Sequence, residues 1–514
     1  MYSPALAGWS AQLFPATLGE ATARLRTRLT SWIGPDGAIR DGCRSRVFES
    51  VLALNLLERI GLEGERRDRL VGYLSAQVAV DPLDRILVDL ALTRTDTATP
   101  PVGLVEAFIA QAPDFTSARK NAMFEATFAL YGRTPDKLDP EAFAMAGLHS
   151  WAKVQVTAVK VVLADATGQH ELIDDEDVRI LLETQRREHV WESNVLIHLW
   201  TLHALHRLPN TEQVVAQGIT KALAHQREDG GMPFSSDTDT WCTATAGVAL
   251  AAAGADPDVL HTMAAHLVSQ QRPGGGWSYT DLSDQTDVDD TSVAVQFLTV
   301  LDKDRYHEQI CRGEHSLLAV HNPDGGFPTY IVGAASEACM TAAAVDALTL
   351  RWKHHHGAIV AGLEFLAGQQ GDDGAFPPDW SSSRWHTIFR ALLAASRNPG
   401  HWPVGLRNMT DRIIGLVLAA QNDDGGWGQQ DGEPSDAIST AYALIAVCHQ
   451  DDPRPAARAA GYLLTCQRED GGIDSIPDSI GPRPLRFTIA ALADIFVLLA
   501  LGHLSHRLAA EELS

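Results

Sequence analysis

The chain has 514 residues, 45% of them hydrophobic, enough for two or three domains with filled cores. Its formal net charge of −24 and pI near 5.2 exclude a nucleic-acid surface, which needs a basic stripe. An anionic small molecule bound by so acidic a protein needs a local basic site and a divalent cation.

In chain order, no signal peptide opens the sequence, and a first short helix holds Trp9. Between residues 20 and 190 there are two faint turn signals, Gly34-Pro35-Asp36-Gly37 and Gln185 to Trp191. An acidic run, Asp174-Asp175-Glu176-Asp177, stands just before Leu181-Leu182 and Gln185. On its residues alone it is a solvated loop capping a helix from Val178.

A regular pattern begins at Gln226…Gly230-Gly231-Met232. It returns as Gln271…Gly275-Gly276-Trp277, His321…Gly325-Gly326-Phe327, Gln370…Gly374-Ala375-Phe376, Gln421…Gly425-Gly426-Trp427 and Gln467…Gly471-Gly472-Ile473. The spacing, 45 to 51 residues, suits one helical hairpin per repeat. The stretches between, such as Thr243 to Ala253, Ala335 to Trp352 and Ile438 to Val447, are rich in Ala and Leu at helical spacing. Each Gly pair ends a helix with the positive φ of a turn, and the residue two after the first Gly packs back on the neighbouring hairpin. Six such units closed on themselves make an α/α barrel, in which the repeated Gln and Trp residues stack helices and do no chemistry.

Between two repeats lies Asp287-Val288-Asp289-Asp290-Thr291, at the start of an apolar helical run. Three carboxylates in four positions cannot all ionise comfortably, so at least one keeps its proton near neutrality. The bland reading is an acidic helix start. The other is a proton donor, with Asp289 flanked by two groups able to bond it or repel its anion.

The remaining signals are quieter. His354-His355-His356 cannot share one helix face, which argues against a metal site there. Six cysteines without a Cys-x-x-Cys pair (Cys43, Cys242, Cys311, Cys339, Cys448 and Cys466) read as reduced thiols of a cytosolic protein. No run of eighteen apolar residues spans a bilayer, and Ile489 to Leu501, interrupted by Asp494, reads as a core helix.

The Asp-x-Asp-Asp-Thr sequence among Gln-x-x-x-Gly-x-Trp/Phe repeats resembles the class II terpene cyclases, which include squalene-hopene cyclases and copalyl diphosphate synthases. Three further segments are similar to motifs of the diphosphate-using branch. Ser3-Pro4-Ala5-Leu6-Ala7-Gly8-Trp9-Ser10-Ala11 matches S-P-Y-D-T-A-W-V-A without its Tyr-Asp pair. Ser45-Arg46-Val47-Phe48-Glu49-Ser50-Val51-Leu52 is similar to D-R-L-(I/L)-(S/N)-T-L-A, with Arg46 retained. Trp380 to Thr387 is similar to W-H-x-S-x-Y-Y-x-T, with Trp385 and His386 at the two Tyr positions.

The resemblance implies an all-α fold of two α/α barrels, one inserted after the first helix of the other. We place the barrels at residues 1–18 with 195–514 and at 19–194, and expect the substrate between them. The implied chemistry is protonation of a terminal alkene by Asp289, oriented and tuned by Asp287 and Asp290, then closure of two fused rings and loss of a proton. An alkene is a feeble base, so the acid must be aimed in a dry pocket and its conjugate base stabilised afterwards. No D-D-x-x-D/E motif occurs, so the diphosphate is expected to survive into the product.

Trp241 and Trp385 are candidate cation-facing aromatics, core packing being the alternative for each. Arg46, Lys120 and Arg384 are candidate diphosphate contacts, against a default of surface solvation. Asp174, Asp175 and Asp177 resemble the acidic motif that helps bind magnesium in the inserted barrel of plant relatives, and are the nominated Mg2+ anchors. The first substrate expectation is geranylgeranyl diphosphate, giving a copalyl-type bicycle. The alternatives are farnesyl diphosphate giving a drimenyl-type product, squalene, and a non-catalytic α/α-barrel subunit of the protein-prenyltransferase kind. The expected partner is the small-molecule substrate, in a monomer or homodimer with no nucleic acid and no integral membrane segment.

Overall fold

Each repeat turn uses the same contacts in the structure, a computed structural model that describes residues 8–77, 81–93, 103–111, 114–377, 380–397, 403 and 405–512. Ser3 to Ala7 of the amino-terminal motif lie outside the described residues. Gln271 Nε2 donates to the Gly275 carbonyl (2.8 Å) inside its turn and to the Gln309 carbonyl (2.9 Å) in the next outer helix. Gly275 has a φ of +94°, and a Cβ there would collide with the Arg312 carbonyl oxygen, so only glycine lets that helix approach. Trp277 is fully buried, with its backbone N–H on Thr291 Oγ1 (3.0 Å) and its indole N–H on the Leu267 carbonyl (2.7 Å). The glutamines at 370, 421 and 467 repeat both bonds, reaching the carbonyls of Met409, Pro455 and Ala21.

These turns close a ring. Among the described residues, the inner helices Asp239–Ala252, Val288–Asp302, Ala338–Thr349, Trp385–Ser396, Ala437–Val447 and Leu492–Glu512 each pack on the next, and the last packs back on the first. An inner helix is buried all round, as is every residue of Ala437–Val447. The outer helices Leu18–Ser31, Pro257–Gln270, His307–Ala319, Trp352–Gln369, Gly405–Ala419 and Arg454–Thr465 bury one stripe. Ala456, Ala459, Ala460 and Leu463 form that stripe in Arg454–Thr465. By length and composition Leu492–Glu511 is apolar enough to cross a membrane, yet 72% of its apolar window is buried in the structure. It is the core helix expected around Asp494, whose carboxylate accepts from Arg28 Nε (3.0 Å) and the Ile473 N–H (2.7 Å).

The sixth turn of this ring is not the one at Gln226. It is the faint signal at Gly34, where the Gly34 N–H bonds the Ala38 carbonyl (2.8 Å) and Gly37 has a φ of +88°. A Cβ on Gly37 would collide with the Thr262 carbonyl oxygen, and the Ile39 N–H bonds Thr243 Oγ1 (2.8 Å). The backbone turn, the close approach at glycine and the N–H bond to a threonine recur, while Ile33 and Ile39 stand where the other turns carry Gln and an aromatic and make none of their side-chain hydrogen bonds. The Gln226 turn belongs to the other unit, bonding the carbonyls of Gly230 (2.8 Å) and Arg66 (2.9 Å).

The domain boundaries are corrected accordingly. One unit comprises Met1–Asp41, Asp239–Ser479 and Thr488–Ser514, and the other Gly42–Thr238 with Ile480–Phe487. The expected division was 1–18 with 195–514 against 19–194. Leu18–Ser31 stays with the first unit because it packs on Leu492–Glu512 and Asp239–Ala252. Val195–Leu205 stays with the second because it packs on Val47–Arg59 and Ser150–Ala166. That second unit has its own core, including Phe48, Phe124, Leu163 and Trp200, and a short antiparallel pairing of Ser45–Arg46 with Met232–Pro233. None of the six cysteines is joined in a disulfide.

Gly275→Ala should cost about 1–3 kcal/mol, the range for a side chain forced into a left-handed, crowded position. Gly274 has open space where its Cβ would be. Gly274→Ala should therefore change stability by less than about 0.5 kcal/mol, both variants being read as shifts in the denaturant midpoint. Equal costs would contradict the close-approach role of Gly275.

Candidate functional site

The acidic motif begins as a helix cap. Asp287 is the N-cap of Val288–Asp302: its Oδ1 accepts the Asp290 N–H (2.8 Å), and its own N–H bonds the Trp277 carbonyl (3.1 Å). The repeat turn therefore sets the cap directly. Burial pushes the Asp287 carboxyl up to about 6 and the Asp290 carboxyl well above the ordinary range. The hydrogen bond between them acts oppositely on the two, lowering Asp287 and raising Asp290. Asp290 accordingly keeps the proton and donates it toward Asp287.

Asp289 faces a different partner. Its Oδ1 is ion-paired with the guanidinium of Arg390, on the inner helix Trp385–Ser396. That helix lies two places along the ring, beyond Ala338–Thr349, so the pair reaches across the barrel interior. Asp289 keeps 17% of its side chain exposed while Asp287 and Asp290 are buried, so it alone of the three is open to a ligand. Nothing in the acidic motif points to Arg390; its signal is a lone charge inside the apolar run Ile388-Phe389-Arg390-Ala391-Leu392.

Beside Arg390, three consecutive inner helices bring aromatic rings together. Phe389 stacks on Tyr442 (centroids 5.1 Å apart), and Phe496 meets Tyr442 edge-on (4.8 Å). Tyr442 Oη donates to buried Asp478 (3.1 Å), which also accepts from Ser381 Oγ (2.8 Å). Burial raises the Asp478 carboxyl to about 6, against the opposing charge of His386 and these hydrogen bonds.

Several expected site residues have other work. Trp385 is fully buried with its indole N–H on the Gly428 carbonyl (2.7 Å), a packing role, while Trp241 is half-buried in the first turn of Asp239–Ala252. Arg384 pairs with Asp373 (2.7 Å) and Asp431 (2.6 Å), so its guanidinium is spent on the protein rather than on a diphosphate. Arg46 is likewise committed: it is buried, bonded to Glu49 and to the Gly481 carbonyl (2.7 Å), and stacked over Phe234 at 4.8 Å. Lys120 is buried and donates to the Arg483 carbonyl.

The nominated magnesium anchors do not fit a metal. Asp174 caps Asp175–Thr184 in a reciprocal capping box with Asp177, and Lys160 Nζ already sits 2.6 Å from Asp177. Asp175 is exposed, and among the described residues no group of three or more His, Cys, Asp or Glu side chains could hold a metal.

Because Asp287 and Asp290 are both raised above the usual aspartate value near 4, the folded chain binds more protons at these two carboxyls than the unfolded one. The stability that this pair contributes should therefore fall as pH rises from about 4 through 6. Asp290→Asn removes its share, so the variant should gain on the wild type across that window in thermal melts. Parallel pH profiles would contradict the shared proton.

This geometry has relatives. The prenyltransferase alpha-alpha toroid domain matches residues 181–377 and 403–510. A drimenyl diphosphate synthase of Streptantibioticus cattleyicolor is 39% identical over 95% of this chain and 96% of its own. Another, of Streptomyces showdoensis, is 36% identical over 95% of each chain. An ent-copalyl diphosphate synthase from Streptomyces platensis, 17% identical, matches with a TM-score of 0.63 over 95% of this chain and 100% of its own, which shows a common all-α double-barrel fold. With such identity sustained over nearly its whole length, the chain belongs to the class II terpene cyclases and is an enzyme of that class.

Proposed function

We propose that this cyclase converts farnesyl diphosphate to drimenyl diphosphate. The observation that carries the C15 substrate is the 36–39% identity, over nearly full length, to two drimenyl diphosphate synthases. Likeness to the copalyl enzyme is one of fold alone. The farnesyl alternative thus takes precedence over geranylgeranyl diphosphate.

In the proposed reaction, protonated Asp289 gives its proton to the terminal alkene, forming a C–H bond and leaving a tertiary cation. The π pair of the middle alkene closes the first ring and that of the third closes the second. The final cation then loses a proton to a base, and the C–O bond to the diphosphate is never broken. Arg390 opposes the negative charge left on Asp289, which makes a carboxylic acid strong enough for so weak a base. The Asp289–Arg390 pair corresponds to the discharged acid, and its exposed edge lets solvent return the proton. Phe389, Tyr442 and Phe496 supply π faces beside the same helix for the intermediate cations. Magnesium suits the oxygens of a diphosphate, but the cluster at Asp174 is not its holder.

With C15, C20 and C30 substrates, kcat/KM should favour farnesyl diphosphate over geranylgeranyl diphosphate by about tenfold or more. A preference for C20 would restore the copalyl reading. Asp289→Asn should lose at least about 10²-fold in kcat, and Arg390→Leu a comparable amount, with Arg390→Lys recovering part of it. An Asp289→Asn enzyme keeping more than about a tenth of wild-type turnover would remove Asp289 from the role.

A further inference from the structure

The proposed cyclisation ends when the final cation gives up a proton, and the group that takes it must face the same space as Asp289 and Arg390. Phe389 and Phe496 stand on inner helices two places apart in the ring, Trp385–Ser396 and Leu492–Glu512, yet their ring centroids are 6.2 Å apart. Side chains meet over that span only if both point toward the barrel axis. Tyr442 comes from the helix between them, Ala437–Val447, and its ring packs on both, so it faces inward too. The Arg390 guanidinium lies over the Phe389 ring at 5.8 Å, which joins this aromatic group to the Asp289–Arg390 pair.

Within the group, the Tyr442 hydroxyl is turned to a carboxylate. It donates to Asp478 Oδ2 (3.1 Å), and the two carboxylate oxygens also accept from Ser381 Oγ (2.8 and 3.0 Å). Tyr442 and Asp478 are both buried. A tertiary carbocation is so strong an acid that almost any oxygen can deprotonate it, and position then decides which one does. Burial counts for more than basicity, because water beside the cation would capture it as an alcohol. The Tyr442 oxygen still has a lone pair to offer while its proton points at Asp478. A phenol that takes a proton becomes a cation itself, which a dry site disfavours unless its own proton leaves at the same time. Asp478 is placed to receive that proton. Burial raises its carboxyl to about 6, so it binds the proton and loses it again near neutral pH.

We propose that Tyr442 is the base that ends the cyclisation, with Asp478 behind it as the acceptor of its hydroxyl proton. The role rests on the cyclisation reading above. A C–H bond next to the final cation breaks, its electron pair forms the product's alkene, and the proton goes to Tyr442 Oη. The original hydroxyl proton passes along the 3.1 Å hydrogen bond to Asp478, so the phenol is restored and the carboxylate becomes a carboxylic acid. Asp289 has then lost one proton and Asp478 has gained one, and exchange with solvent after product release resets both.

The test is the product distribution from farnesyl diphosphate, identified by mass spectrometry after phosphatase treatment, for the wild type, Tyr442→Phe and Asp478→Asn. Both replacements keep the shape of the side chain, thermal melts check the fold of each, and either variant carries the test if the other does not fold. Each should still consume farnesyl diphosphate and close two rings, because protonation by Asp289 precedes the step removed. The wild-type alkene should form at least about tenfold more slowly, with an alkene isomer or an alcohol from water capture in its place. A merely structural role would lower every product together. Folded variants whose products keep the wild-type proportions, at any yield, would overturn the base alone. A wild type that forms no bicyclic diphosphate would overturn the cyclisation reading.

Discussion

A glycine carbonyl gripped by a glutamine side chain, with no Cβ to keep the neighbouring helix away, sets the geometry of the ring and of its chemistry. In the turn at Gly275 this constraint brings the outer helix His307–Ala319 against the turn backbone. It also holds Trp277 where its carbonyl can receive the Asp287 N–H (3.1 Å). The same bond recurs between Asp436 and Trp427 (2.9 Å) and between Glu337 and Phe327 (2.9 Å). Asp436 even repeats the cap, its Oδ1 taking the Ser439 N–H (2.9 Å). The first carboxylate of the acidic motif is thus scaffold shared with other repeats, and Asp289 is the departure from it.

That division explains how three carboxylates coexist in four positions. Asp287 caps the helix, Asp290 is protonated against it, and Asp289 meets the opposite charge of Arg390. Burial, which penalises the charges of Asp287 and Asp290, is answered by the helix cap at one and by the held proton at the other. The arrangement holds one proton where it is structural and leaves the more exposed carboxyl, Asp289, as the donor of the proposed reaction, at a cost in stability from the buried pair that grows with pH.

Local chemistry made the turns, the closed ring and the helix start legible from residues alone, because each depends on contacts within one repeat or the next. The Gly34 turn read only as a faint signal, apart from the regular repeats, because isoleucine stands for both glutamine and tryptophan, and Gly42–Thr238 of the second unit are inserted before its inner helix, breaking the period. Arg390 escaped for a different reason: it is 101 residues from Asp289, and no spacing rule links two helices across a barrel. Asp174 to Asp177 read as ligands by type, yet the reciprocal bonds of a cap and the nearby Lys160 decide their role. Arg46 and Arg384 looked available because their carboxylate partners are visible only in three dimensions.

Turnover of farnesyl diphosphate in deuterium oxide tests protonation by an enzyme acid most directly. The product should gain one deuterium, on the ring carbon that had been the terminal alkene CH, and should still carry its diphosphate. A cyclic product without that label, or one formed with release of pyrophosphate, would contradict a reaction begun by proton transfer from Asp289.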